Sequence, residues 1–242
     1  MLVTTTALAI AIQVAAPVKT ATIELKGEPT RLSWSGDGAE LAIQTAERDD
    51  RGMTKNPRNY LVAVAGGKLS NADASPEWAD KYWTWKSDRL APWAPSVGID
   101  IKQEQKTVSS TSSPMGGSLA KGGTSGDPNS GTTADEATQH KLNSQTLNVI
   151  TLTLLGETVG YFEGVQFIPG YTFGWAPKDV AAIAYINRSG RLAVMDKDGN
   201  KQQVDSTKGV MLPAWSLDGT KIAFLQKTGK NKYDLFVAAV TM

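Results

Sequence analysis

Short runs in which apolar side chains alternate with polar or small ones recur along this chain. Tyr60-Leu61-Val62-Ala63-Val64 and Leu192-Ala193-Val194-Met195 are two of them. Leu147-Asn148-Val149-Ile150-Thr151-Leu152 and Tyr233-Asp234-Leu235-Phe236-Val237-Ala238 are two more. A period of two puts successive side chains on opposite faces, so each run predicts a β-strand. Turn residues separate the runs. Asp198-Gly199-Asn200 ahead of Lys201-Gln202-Gln203-Val204 predicts a tight hairpin.

A longer repeat is laid over this pattern. Leu32-Ser33-Trp34-Ser35-Gly36-Asp37-Gly38-Ala39-Glu40-Leu41-Ala42 returns as Pro213-Ala214-Trp215-Ser216-Leu217-Asp218-Gly219-Thr220-Lys221-Ile222-Ala223. Aromatic, turn and apolar dipeptide fall at the same offsets. Trp85-Lys86-Ser87-Asp88-Arg89-Leu90-Ala91 is a degenerate copy. Trp175-Ala176-Pro177-Lys178-Asp179-Val180-Ala181-Ala182-Ile183 is closer, with one extra residue before Ile183. Trp34, Trp85, Trp175 and Trp215 therefore mark four units, separated by 51, 90 and 40 residues. The long interval contains residues 109–139, rich in Ser, Gly, Thr and Pro. Such a segment cannot bury enough apolar surface to offset its ordering entropy, and it reads as a disordered, mobile loop insertion.

Each unit reads as a strand ending at the Trp, a turn with Asp, a strand with the apolar pair, a third strand and a fourth. Four antiparallel strands at a spacing of about 40 to 50 residues predict an all-β fold, a β-propeller of about four blades. The last unit lacks a fourth strand. Thr20-Ala21-Thr22-Ile23-Glu24-Leu25-Lys26 is an alternating strand without a unit. This N-terminal strand is expected to complete the last blade and close the ring, which leaves a single domain over residues 20–242 without long exposed edges.

The units resemble the TolB-like propeller repeats, also called WD40-like or PD40 repeats. The hallmark of that family is an aromatic followed by Ser-Pro-Asp-Gly and a Lys-Ile-Ala-Phe strand. Trp215 to Phe224 matches with Leu217 at the Pro position, and Trp34 to Ile43 matches with Gly36 there. The third unit keeps Ala176-Pro177 and Asp179 but lacks the Gly, and the second keeps only Trp85, Ser87 and Asp88. The resemblance covers about residues 20 to 242 outside the insertion. It implies a protein-binding platform, because TolB-like propellers commonly serve as one.

The N-terminus allows three readings. Residues 1–18 carry no charge, and Ala7 to Val18 is largely apolar. A cleaved secretory signal ending at small residues such as Ala15-Ala16 is one reading, and it places the domain in the periplasm or cell envelope. A retained membrane anchor is the second, although the run is short and polar for a span. The third is a strand, since Ala7-Leu8-Ala9-Ile10-Ala11-Ile12 alternates small and large. Membrane contact follows only if residues 1–18 are retained.

Composition narrows the chemistry. A net charge of +1 without a Lys/Arg run gives no field for nucleic acid. There is no Cys, which excludes disulfides, thiolate metal sites and Cys nucleophiles. The single His, His140, excludes a multi-His metal site. It sits at the edge of the Ser/Gly-rich segment and reads as solvated. No Gly-x-Ser-x-Gly elbow, Walker loop or dinucleotide fingerprint occurs. Asn187-Arg188-Ser189 fits the glycosylation acceptor pattern, but a three-residue match is weak and a hairpin turn is sufficient to explain it. No catalytic, cofactor-binding or metal-binding residue is assigned.

The repeat residues read as scaffold. Trp34, Trp85, Trp175 and Trp215 are expected to pack between sheets. Asp37, Asp88, Asp179 and Asp218 are expected to accept backbone N–H groups within their turns. The unexplained feature is Trp78-Ala79-Asp80-Lys81-Tyr82-Trp83-Thr84-Trp85, with Trp93, which holds four of the seven tryptophans. Trp78, Tyr82, Trp83 and Trp93 are candidates for a partner-binding surface, with a thicker core as the other reading. The function expected is a non-catalytic interaction module with one or more protein partners, a membrane complex among the candidates. The alternatives are a membrane-anchored accessory subunit and a propeller hydrolase or lyase with a site in the central funnel.

Overall fold

The computed structural model describes residues 12–50, 53–87, 99–109, 144–154, 157–163, 171–177, 179–187, 189–204 and 208–241. Strands β1 (Gln13–Val14) and β2 (Val18–Glu24) come first. They lead into β3 (Glu28–Trp34), β4 (Glu40–Arg48), β5 (Thr54–Ala63) and β6 (Leu69–Ala72). Helix α1 (Glu77–Ser87) follows, then β7 (Ile99–Ser109), β8 (Ser144–Leu154) and β9 (Glu157–Glu163). The chain continues through β10 (Phe173–Trp175), β11 (Ala182–Ile186), β12 (Leu192–Asp196) and β13 (Lys201–Gln203). It closes with β14 (Val210–Trp215), β15 (Lys221–Gly229) and β16 (Lys232–Thr241). The fold is all-β, built of curled antiparallel sheets, and the sheet that holds β16 reaches only a half-barrel. No helix among the described residues is long and apolar enough to cross a membrane.

Two sheets are four-stranded meanders, β3-β4-β5-β6 and β10-β11-β12-β13. The sheet of β14, β15 and β16 has β2 as its outer strand, paired antiparallel from Glu24↔Lys232 to Val18↔Val237. The N-terminal strand thus supplies what the last unit lacks. Strand β14 lies between β10 and β3, so the first strands of three units stand side by side. One apolar cluster, with Trp215, Leu192, Val194 and Phe224, fills the space toward the β10–β13 sheet. A second, with Trp34, Leu32, Leu41 and Leu235, fills the space toward the β3–β6 sheet.

The second unit departs from the pattern. Its sheet, β7-β8-β9, has three described strands, and Trp85 lies on α1 rather than at a strand end. Local chemistry explains the helix. Pro76 sits at its start and accepts the Ala79 and Asp80 N–H groups, a position where a missing N–H costs nothing. Glu77 and Asp80 place negative charge in the first turn, where the helix dipole favours it. Lys81 pairs with Glu77 one turn away at 2.7 Å. Helix α1 packs against β3 and reaches the end of β14 through Tyr82. Asp88 and Trp93 lie outside the described residues, as do His140 and all but the first residue of the 109–139 segment.

The third unit absorbs its extra residue in the turn. Val180 and Ala181 both donate to the Pro177 carbonyl, and Ala181 takes a left-handed φ of 48°. Gly38 and Gly219 fill the corresponding left-handed positions in the other turns, with φ of 66° and 73°.

Strand β1 changes the reading of the N-terminus. It continues along β16 with Val14↔Val240 and Gln13↔Thr241. Val14 is 6% exposed and belongs to the core cluster of Leu192 and Val204. Its N–H donates to Gln202 Oε1 at 2.9 Å, and its carbonyl accepts from Gln202 Nε2 at 2.8 Å. One side-chain amide thereby satisfies the backbone edge turned away from β16 and ties it to the neighbouring sheet. A leader ending at Ala15-Ala16 would remove this strand. Residues 1–11 lie outside the described residues. Truncating the chain to begin at Pro17 is expected to cost roughly 2–4 kcal/mol, from buried Val14 and the lost Gln202 pairing, and to lower the thermal midpoint by about 5–10 °C. Melting curves of the two forms by circular dichroism check this, and coincident curves would refute it.

Candidate functional site

The Trp-turn motif has the same atomic plan in two units. Ser35 Oγ accepts the Glu40 N–H at 2.9 Å and donates to Asp37 Oδ1 at 2.7 Å. Asp37 Oδ1 in turn accepts the Ala39 N–H at 3.0 Å. Ser216 Oγ accepts the Lys221 N–H at 2.9 Å and donates to Asp218 Oδ1 at 2.6 Å, which accepts the Thr220 N–H at 3.0 Å. The Ser hydroxyl, then the backbone N–H, hold both carboxyls below their ordinary value of 3.8. In the third unit Ala176 stands at the Ser position, so no hydroxyl is there, and Asp179 is exposed.

The tryptophans join sheets. Trp34 Nε1 donates to the Ala214 carbonyl at 2.9 Å, and Trp215 Nε1 donates to the Gly174 carbonyl at 3.1 Å. Each acceptor is the residue just before the Trp of the adjoining unit. Gly174 is needed for this approach, because a Cβ there would stand 2.5 Å from the Pro213 carbonyl oxygen. Trp34, Trp175 and Trp215 are buried, as expected of scaffold residues.

Helix α1 carries the aromatic cluster, and the structure divides it. Tyr82 is 3% exposed and donates its hydroxyl to the Trp215 carbonyl at 2.6 Å. Burial pushes that hydroxyl's pKa well above 10, so it remains a donor throughout the physiological range. Tyr82 is therefore a packing residue and no part of an open binding surface. Ala79 is buried below it, and its carbonyl accepts from Ser33 Oγ at 3.4 Å. Trp78 and Trp83 are only half-buried. The Arg31 guanidinium lies 4.9 Å from the Trp83 ring centroid and reaches Asp80 at 3.9 Å. Trp83, Arg31 and Asp80 thus form a partly open aromatic and charged patch, while Trp78 stands about 140° round the helix, across the buried Ala79 and Tyr82 face. Guanidinium stacking over indole contributes about 0.5–1 kcal/mol at an exposed site and holds Arg31 in place.

Arg31 was not among the sequence candidates. Its role depends on α1 packing against β3, and the helix-start signature Ser75-Pro76-Glu77 was the available clue. No protein-family model matches the chain, and comparison with curated proteins returns no match. Among the described residues no group of three or more His, Asp or Glu is placed to hold a metal ion.

Replacing Tyr82 by Phe leaves the Trp215 carbonyl without this donor, and the expected cost is about 1–3 kcal/mol in urea unfolding, with unchanged secondary structure. Acid stability follows from the turn carboxyls. Their native pKa values are lowered, so their contribution is present above the unfolded value and is lost as pH falls through the native one. Melting points are expected to fall below about pH 4, and Asp218→Asn should make that acid limb shallower. An unaltered limb in the variant would show that the Ser216–Asp218 pair is energetically silent.

Proposed function

We propose that the chain is a TolB-like propeller acting as a non-catalytic, protein-binding module of the periplasm or cell envelope. Two features support the propeller reading. The Ser–Asp turn recurs with matching hydrogen bonds, and each linking Trp reaches the carbonyl one residue before the next unit's Trp. Export stays part of the proposal, with any leader ending upstream of β1.

The observation that carries protein binding is the half-buried Trp83 with the Arg31 guanidinium over its ring. Trp and Arg are the residue types most enriched among the few side chains that dominate binding energy. The helix that bears Trp83 is anchored by the Tyr82 hydroxyl on the Trp215 carbonyl, which reduces the ordering cost of binding. Affinity capture from periplasmic and membrane fractions, with the wild type and Trp78→Ala/Trp83→Ala compared, tests the proposal. The variant should keep its far-ultraviolet spectrum and lose a partner that the wild type retains. Equal capture by both would sink the patch as the docking site, and recovery of the protein only in the cytosol would sink the location.

A further inference from the structure

A cleft of about 440 Å³ opens between β2 and the outer half of the β3–β6 sheet. Its polar lining is Glu24, Lys26, Arg58, Asn59, Asn71 and Asp73. This volume falls within the range of about 300–1,000 Å³ usual for small-molecule sites. The walls are fixed at both ends. At one end Gly67, with φ of 64°, lets the β5–β6 turn press against β2, where a Cβ would stand 2.5 Å from the Thr20 carbonyl oxygen. At the other end the Lys26 N–H donates to the Tyr60 hydroxyl at 3.0 Å. A cleft pinned this way is formed before any ligand arrives.

We propose that this cleft binds a neutral, polyhydroxylated small molecule, a sugar of one or two rings. Three features favour that class. First, the lining carries both signs: Glu24 and Asp73 with Lys26 and Arg58, the last already paired with Glu47 at 3.1 Å. A neutral ligand brings no charge to desolvate. Second, donors and acceptors are mixed. Carboxylates accept from hydroxyls, while Lys26 and the Asn71 amide donate to hydroxyl oxygens. Third, the apolar surface is small. Tyr60 is buried and Leu69 half-buried, which leaves no deep apolar pocket of the kind that anchors a peptide side chain.

Titration of the isotope-labelled protein with glucose, N-acetylglucosamine and maltose, followed by amide chemical shifts, tests the assignment. At least one sugar should give saturable shifts confined to residues 24–26, 58–60 and 69–73. Glu24→Gln and Asp73→Asn, both at exposed positions, should weaken that affinity about tenfold each while leaving other shifts in place. Affinity should hold between low and high salt, since the ligand is neutral. The absence of saturable shifts with all three sugars overturns the proposal. Binding of the zwitterionic dipeptide Ala-Ala instead, weakening with salt, also overturns it and assigns the cleft to a peptide terminus.

Discussion

The indole N–H of a buried tryptophan, donated to a backbone carbonyl of the adjoining sheet, is the interaction on which this architecture depends. Neighbouring sheets share no backbone ladder there, only single bonds such as the Leu212 N–H to the Tyr171 carbonyl at 2.9 Å. A Trp buried between them contributes a large apolar area, and its N–H needs a partner once it leaves water. Trp34 finds that partner at Ala214, and Trp215 finds it at Gly174. The burial drives the sheets together, and the hydrogen bond fixes where they stop. The Ser–Asp turn serves the same end, because it sets the angle at which the strand carrying the Trp reverses. Gly219 completes the fit: a Cβ there would collide with Val180 of the preceding unit's turn.

Much of this was legible in the residues, for definable reasons. The offsets from Trp34 to Asp37 and from Trp215 to Asp218 encode a local turn, and local geometry survives translation from sequence to structure. The N-terminal strand was legible too, because an alternating run without a unit and a unit without its outer strand imply each other. The second unit was misread because an aromatic, a Ser and an Asp at nearly the right spacing outweighed the stronger local signal, a proline and acidic residues opening a helix. Tyr82 was misread for a different reason. Its hydroxyl reaches a carbonyl 133 residues away, and nothing in its own segment announces that partner. The same holds for Gln202, whose amide grips Val14 across 188 residues.

Helix α1 is at once a scaffold element and the bearer of the proposed docking patch. Its buried face, Ala79 and Tyr82, fixes it to β3 and to the Trp215 carbonyl. Half-buried Trp83 has the Arg31 guanidinium of β3 over its ring, and half-buried Trp78 lies on the other side of that seat. A strand in this place would bury its alternate residues between sheets, whereas a helix can turn one side to the core and still present aromatics outward.

The pairing of β2 with β16 also bears on how the chain is made. Thr22 meets Asp234 across 212 residues, so the N-terminal strand emerges from the ribosome long before its partner exists. Until then an alternating edge strand has no ladder to join, and such edges recruit other chains. Lys19, Lys26 and Glu24 on and beside that strand supply the charges that discourage such recruitment. Biogenesis, as much as final stability, thus has a stake in the polar face of a segment whose finished role is to hold the last sheet together.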